Sequence, residues 1–412
     1  MSSENEIFQK IDGYRDEIIA FQSELTSRVA LCPENGGTGE HEKAEYLKKR
    51  LEEMSPDNLL EIKAPDKRAQ DGYRPNIIAR WGKDGARPVV WVLSHMDVVP
   101  PGDLSLWDSD PYKVKVDGDK IIGRGVEDNQ HGIVTSCLAL KAVLESGLEH
   151  ANAGLIMVAD EETGSKYGLD YIVKNHRDIF KDNDLIIVPD WGAEDGSMIE
   201  IAEKSMLWLK FTVKGKQCHA STPEKGNNTL FGSARLIIEL DRLKKEYDLK
   251  DDLFEPPIST FESTKIEANV PNVNTIPGKG VFYMDCRVLP AYKIDEILKS
   301  IKEITDRVGK ELDLNISIET VNREDASNPT PSDAPVVKAL SRAIKKVKGA
   351  DASTMGIGGG TVASFFRRAG FNAAVWSTCL DVAHQPNEYC RINDIIEDTK
   401  VLASIFLDDT IE

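Results

Sequence analysis

The sequence has little that would tie it to a membrane, a disulfide framework or a nucleic acid. No apolar run approaches the roughly 20 residues that span a bilayer. The acidic start MSSENEIFQKIDGYRDE lacks the basic head and apolar centre of a secretory signal. Cysteine is scarce: Cys32, Cys137, Cys218, Cys286, Cys379 and Cys390 form no CxxC pair. Reduced thiols in a cytoplasmic protein therefore fit better than disulfides or a thiolate zinc site. Positive charge is the minority sign, with 51 Lys and Arg against 69 Asp and Glu and a net charge of −18. Such a surface repels phosphate backbones and anionic lipid, so neither nucleic acid nor membrane is expected as a partner. Repeats and low-complexity segments are also absent.

What the chain does have is enough length and apolar content for two globular cores: 412 residues, 41% hydrophobic. Helical periodicity predicts helices over 7–29 and 40–54. Apolar runs at 75–81, 89–99, 153–162 and 184–190 then alternate with helical stretches at 128–146 and 166–176, the pattern of parallel βαβ units. The middle differs. Residues 206–216 alternate like a half-exposed strand, and a helix at 228–247, a strand at 281–290, a helix at 294–310 and a strand at 313–321 follow. The βα style returns with helices at 335–347, 361–369 and 393–407. The expected fold is α/β: a catalytic domain with a mainly parallel sheet flanked by helices, interrupted by a smaller α+β domain. Its boundaries are expected at 1–204, 205–325 and 326–412.

Parallel sheets gather ligands at the carboxyl ends of their strands. There the sequence places SHMD, DEE and PD, that is His95, Asp97, Glu161, Glu162 and Asp190. Asp128 stands at a strand-to-helix junction and His384 in the last strand–turn–helix segment. Taken singly, each has a plainer reading; Asp128 alone would be a helix N-cap. Together, two imidazoles and three carboxylates suit a pair of divalent ions such as zinc, cobalt or manganese, with one carboxylate bridging and a position on each left for water. Glu161 is the candidate base for that water. Asp97, two residues past His95, is placed to hold the second ring nitrogen of that imidazole. Spacing alone does not separate Glu161 from Glu162 or choose the bridge.

The combination SHMDVVPPGD (94–103), Trp107 with DPY (110–112), GRGVEDNQHG (123–132), DEETG (160–164), KGKQCHASTPEKGNN (214–228), NVNTIPG (272–278), DCRVLP (285–290), GIGGGT (356–361) and AHQPNEY (383–389) resembles one family, in its order and over most of the chain. This is the dinuclear zinc metallopeptidase and amidohydrolase family of acetylornithine deacetylase, succinyl-diaminopimelate desuccinylase, aminoacylase, carnosine-type dipeptidases and glutamate carboxypeptidases. The resemblance implies that His95 and Asp190 are terminal ligands of one metal and Glu162 and His384 of the other. Asp128 bridges, Asp97 orients His95 and Glu161 is the general base. It further implies that the inserted domain is a lid that forms a homodimer. His219 then reaches across the dimer to stabilise the oxyanion, while Asn274, Arg287 and the Gly358, Gly359, Gly360 and Thr361 loop bind the substrate's carboxylate or carbonyl. Arg287 has a plainer reading as a sheet-face salt bridge. His131 matches no ligand position and reads as a surface helix residue.

The expected activity is metal-dependent hydrolysis of the amide bond of a short peptide or N-acyl amino acid, with Zn(2+) the first choice of ion and Co(2+) or Mn(2+) the others. Asp at position 190, rather than Glu, leans towards a dipeptidase or other exopeptidase. A deacylase such as succinyl-diaminopimelate desuccinylase or acetylornithine deacetylase is the alternative. A catalytically silent binding protein of the same fold is the remoter one, which the retention of Glu161 beside all five ligands argues against.

Overall fold

The computed structural model describes residues 3–82 and 87–411. Residues 1, 2 and 412, at the ends of the expected domains, lie outside the described residues. The chain divides into two compact units. The first comprises 1–201, 329–354 and 362–412; the second comprises 202–328 and 355–361.

The first unit is built on an eight-stranded sheet. Its strands, in chain order, are β1 (Asn58–Pro65), β2 (Tyr73–Trp81), β3 (Val89–His95), β4 (Asn152–Val158), β5 (Leu185–Val188), β6 (Met198–Glu203), β7 (Ser353–Ile357) and β8 (Ala373–Val375). They lie side by side in the order β1-β2-β4-β3-β5-β8-β6-β7. The four central strands β4, β3, β5 and β8 are mutually parallel, while β1, β2 and β6 pair antiparallel outside them. Every residue of β3, β4 and β5 is buried. That is why these segments read as unbroken apolar runs: helices cover both faces of a parallel sheet. Trp91, Leu93, Ile156, Val158, Ile186 and Phe366 are among the side chains of one such face.

Some elements differ from the sequence expectation. The helix expected over 7–29 is two, Glu4–Asp12 and Arg15–Ser27, because the N–H of Gly13 turns back to the carbonyls of Lys10 and Ile11. Strands β1, β6 and β7 have no counterpart in that expectation; β1 is an edge strand of mixed polarity whose burial alternates. The long helix expected over 228–247 is Thr229–Leu240 followed by the short turn Leu243–Glu246.

The second unit carries a four-stranded antiparallel sheet in the order Thr260–Ile266, Lys279–Val288, Ser205–Lys214, Asn315–Glu324. Along Ser205–Lys214 the buried and exposed positions alternate, so one face is covered and the other open. The covered face packs on helices Thr229–Leu240 and Ile294–Glu311. Phe211 stacks on Phe282 with centroids 4.7 Å apart, and Ile294, Ile297, Ile301, Ile304 and Val308 present one helical stripe to the same core.

Candidate metal centre

Because β3, β4, β5 and β8 run parallel, their carboxyl ends emerge on one edge of the sheet, and four connections leave there. His95 is the last residue of β3. Glu161 and Glu162 follow β4, Asp190 follows β5, and His384 lies beyond β8. Asp128 arrives from the loop before helix Gln130–Ser146, and its side chain does not cap that helix; it meets both histidines. His95 Nε2 is 2.8 Å from Asp128 Oδ1 and 3.5 Å from Asp190 Oδ1. His384 Nε2 is 3.1 Å from Asp128 Oδ2 and 3.1 Å from Glu162 Oε2. The five residues thus form two triads that share Asp128, with one carboxylate oxygen facing each histidine.

The neighbouring backbone is shaped for this. Gly132 lets the helix start approach the Pro189–Asp190 turn, since a Cβ there would lie 2.7 Å from the Pro189 carbonyl. Asn129 donates through Nδ2 to Asp190 Oδ1 and to the carbonyl of Pro189, both at 2.6 Å. The turn that carries Glu161 starts at Asp160 with φ of +66°, a left-handed conformation rare for a residue with a side chain. Asp160 is held by accepting the Tyr167 N–H at 2.9 Å and the hydroxyl of Thr163.

Asp97 serves more than its expected partner. Its own carbonyl, not its carboxylate, is the nearer acceptor for His95 Nδ1, at 3.0 Å against 3.6 Å. The carboxylate accepts the N–H groups of Glu161 and Glu162 and the thiol of Cys32, the last at 3.2 Å. Cys32, Glu40 and Asp97 make a third group of suitable ligand atoms. A cation already sits there: the buried Arg74 guanidinium donates to both oxygens of Glu40 and to Cys32 Sγ. That group is an ion-pair network behind the turn, and all six cysteines are free thiols.

Electrostatics mark the two triads as a place for cations. Burial and the adjacent Asp128 push the Glu162 carboxyl up to about 7. Burial, with Asp190, Glu162 and Asp128 around it, holds Glu161 well above the usual carboxylate range. Hydrogen bonds to Asp128 and Glu162 raise His384 to about 10. Burial opposes a charge on His95, but Asp190, Asp128 and Asp97 outweigh it and raise that imidazole too. Glu162 Oε1 is buried without a hydrogen-bond donor. An unpaired buried carboxylate oxygen is costly, and a divalent ion between the ligands would satisfy it. Imidazole nitrogens and carboxylate oxygens are a donor set that such ions accept. Glu161 Oε2 stands 4.0 Å from His95 Nε2, facing the same space.

The other expected site residues fall in the second unit, in two groups. His219 pairs with Thr275 across a short ladder, and the N–H of Ala220 donates to the carbonyl of Asn274 at 2.8 Å, so His219 and Asn274 are neighbours. Both are exposed, and His219 Nδ1 lies 2.7 Å from Ser221 Oγ. Arg287 gives Nε and Nη2 to the two oxygens of Asp285, at 2.7 and 3.0 Å, and Nη1 to the carbonyl of Gly358 at 2.8 Å. The fork that would grip a substrate carboxylate is therefore occupied by Asp285. Thr361 gives its N–H and hydroxyl to Glu203 Oε1 at 2.8 and 2.6 Å.

His131 is not a surface residue. It is 3% exposed, its Nε2 lies 3.1 Å from Asp398 Oδ2 and its Nδ1 lies 3.7 Å from Glu127 Oε2. The helix it sits on is apolar nearly all round, and that pattern was the signal for burial. Its partner Asp398, 267 residues away, gave no such signal. Among the described residues no helix is long and apolar enough to cross a membrane.

Comparison with known proteins agrees with this geometry. The model of the peptidase family M20/M25/M40 matches residues 91–408. An uncharacterized metallohydrolase of Methanocaldococcus jannaschii is 42% identical over 408 residues, covering 95% of this chain and 98% of that protein. Succinyl-diaminopimelate desuccinylase of Rickettsia bellii is 26% identical over 326 residues, 78% of this chain and 81% of that one. In structure the chain is similar to the di-peptidase Dug1p of Saccharomyces cerevisiae, with a TM-score of 0.74, 17% identity and 98% of each chain covered; at that identity the likeness is one of fold. With the family model spanning most of the chain, and the two triads at the carboxyl edge of its parallel sheet, the protein belongs to the peptidase family M20/M25/M40 and is a metal-dependent hydrolase of amide bonds.

Proposed function

We propose that the chain is a dinuclear exopeptidase that acts on short peptides, dipeptides first. His95 and Asp190 would hold one ion and Glu162 and His384 the other, with Asp128 shared between them. The observation that carries this reading is the division of Asp128 between two histidines, Oδ1 at 2.8 Å from His95 and Oδ2 at 3.1 Å from His384. Zn(2+) suits this set of nitrogen and oxygen donors, and Co(2+) and Mn(2+) are the alternatives. Bound there, the ions would acidify water and polarise the scissile carbonyl. Glu161 takes the proton of the attacking water and returns it to the leaving amine. Its raised pKa suits both tasks, since a more basic carboxylate takes up a proton more readily.

In this reading His219 donates to the developing oxyanion. Asn274, the backbone N–H groups at Gly358, Gly359 and Gly360, and the N–H groups of Arg287 that Asp285 leaves free meet the substrate's carboxylate. Thr361 fixes that loop through Glu203. The segment 205–325 is the lid and the homodimer contact. Phe231, Ala234 and Ile238 support that part: they are exposed along one face of helix Thr229–Leu240, and Phe231 and Ile238 are 62% and 65% exposed. A cytoplasmic location fits the free thiols.

Asp190 as third ligand favours the dipeptidase side, while the desuccinylase of Rickettsia bellii among the relatives favours an N-acyl amino acid. The deciding experiment offers the zinc-loaded protein a panel of dipeptides beside N-acetyl and N-succinyl amino acids. Higher kcat/KM on dipeptides supports the proposal. Higher kcat/KM on the acylated amino acids makes the chain a deacylase. Cleavage of none of them would favour a silent binding protein.

A further inference from the structure

Glu388 lies four residues after His384 and is 1% exposed. A carboxylate so deeply buried must be compensated, and this one is, entirely by the loop that delivers Asp128. Its Oε1 accepts the N–H groups of Glu127 at 3.0 Å and Asp128 at 3.1 Å. Its Oε2 accepts the N–H of Gly125 at 3.0 Å and Nη1 of Arg124 at 2.6 Å. Arg124 also donates through Nη2 to the carbonyl of Gln385, the residue after His384, at 3.4 Å.

The other end of the clasp needs holding. His384 and Asn387 both adopt left-handed backbone, with φ of +63° and +59°, rare for residues with side chains. The His384 side chain is 54% exposed, so packing does little to fix it. Its aim depends on where the 384–388 segment is anchored: the Asn387 side chain ties it to Leu106 and Asp108, and the Glu388 side chain ties it to the loop of Asp128.

We propose that Glu388 is a positioning residue: by clamping the backbone of Asp128 to the segment that bears His384, it sets the gap between those two ligands and so the affinity of the ion they share with Glu162. This rests on the ligand assignment proposed above. Asp128 also faces His95, but that histidine is the last residue of β3 and owes nothing to Glu388. The two ions should therefore respond unequally when Glu388 is changed.

The test is a calorimetric zinc titration of the chelator-stripped full chain, wild type against Glu388→Gln. The glutamine keeps the shape but turns an NH2 group towards the N–H groups of the loop. Wild type is expected to bind two zinc ions. E388Q is expected to bind one with little change and the second about 10- to 100-fold more weakly, the range seen when the groups that orient metal ligands are lost. Glu388→Asp, which keeps the charge with a shorter reach, should fall between them, and it carries the same test should E388Q fail to fold. Two zinc ions bound by the variants as tightly as by wild type would overturn the inference. Equal weakening of both ions would also overturn it, since that marks a general loss of packing. A wild type that binds fewer than two ions would instead overturn the ligand assignment.

Discussion

One carboxylate oxygen of Asp97 accepts the N–H of Glu162 at 3.0 Å, and the other accepts the N–H of Glu161 at the same distance. The residue beside His95 thus fixes the turn that carries both the candidate base and a candidate ligand. Burial alone would raise the Asp97 carboxyl, but His95, the Cys32 thiol and the Glu162 N–H keep it below the usual carboxylate range, so it is an anion that these donors need.

Asp97→Asn should keep the fold and misplace the turn. The amide offers one acceptor oxygen where two are used, and its NH2 group faces a backbone N–H. The expected outcome is a fall of about 10- to 100-fold in kcat/KM on the best amide substrate, with weaker zinc binding. Steady-state kinetics and a zinc titration on the same preparation check it.

Metal binding should release protons. In the metal-free protein His384 is raised to about 10, so it is protonated at pH 7 and must lose that proton to bind an ion. Zinc affinity is therefore expected to rise with pH from 6 towards about 10. Calorimetry in buffers of different ionisation enthalpy should count at least one proton released per chain at pH 7. A titration with no proton release would contradict the assignment of His384.

His131 should matter for stability rather than chemistry. Burial disfavours its charge, but Asp398 and Glu127 overcome that and raise it to about 10. A histidine whose folded pKa lies above its unfolded value near 6.5 stabilises the fold fully below pH 6.5, and the contribution fades as pH rises through about 10. Replacing it by leucine should cost about 3 kcal/mol at pH 6, because a buried pair loses one partner. Denaturant unfolding at pH 6 and pH 10 should show the gap between wild type and His131→Leu narrowing at the higher pH.

The apolar face of helix Thr229–Leu240 gives a test of the proposed homodimer. Phe231→Glu combined with Ile238→Glu places charge on that face without touching the core residues Leu236 and Leu240. Light scattering should find a dimer for wild type and a monomer for the double variant. A wild-type monomer would remove the dimer from the proposal.

The candidate metal site was legible in the sequence as a cluster because a parallel sheet delivers successive strand ends to one edge, and acids and histidines stand at those ends. His95 and Asp190 could be placed in this way from local pattern, whereas choosing Glu162 over Glu161 as the ligand rested on the family resemblance. What ties the site together could not. Glu388 holds the Asp128 N–H across 260 residues, and Arg74 reaches Glu40 and Asp160 through a fold that periodicity does not describe. Arg287, by contrast, was readable as a sheet-face salt bridge, and the pleat supplies its partner: Asp285, two residues along on the same strand face, takes its fork. The outer strands β1, β6 and β7 escaped because they lack the unbroken apolar runs of the parallel centre.

The central claim is that Glu161 performs proton transfer at a two-ion site. Glu161→Gln removes the base and leaves all five ligands in place. Turnover of the best amide substrate should be measured on wild type and E161Q, with zinc content determined on the same samples. The account predicts two zinc ions in both proteins and a kcat lower by about 10²- to 10⁴-fold in the variant. An E161Q protein that holds its zinc and turns over like wild type would contradict it.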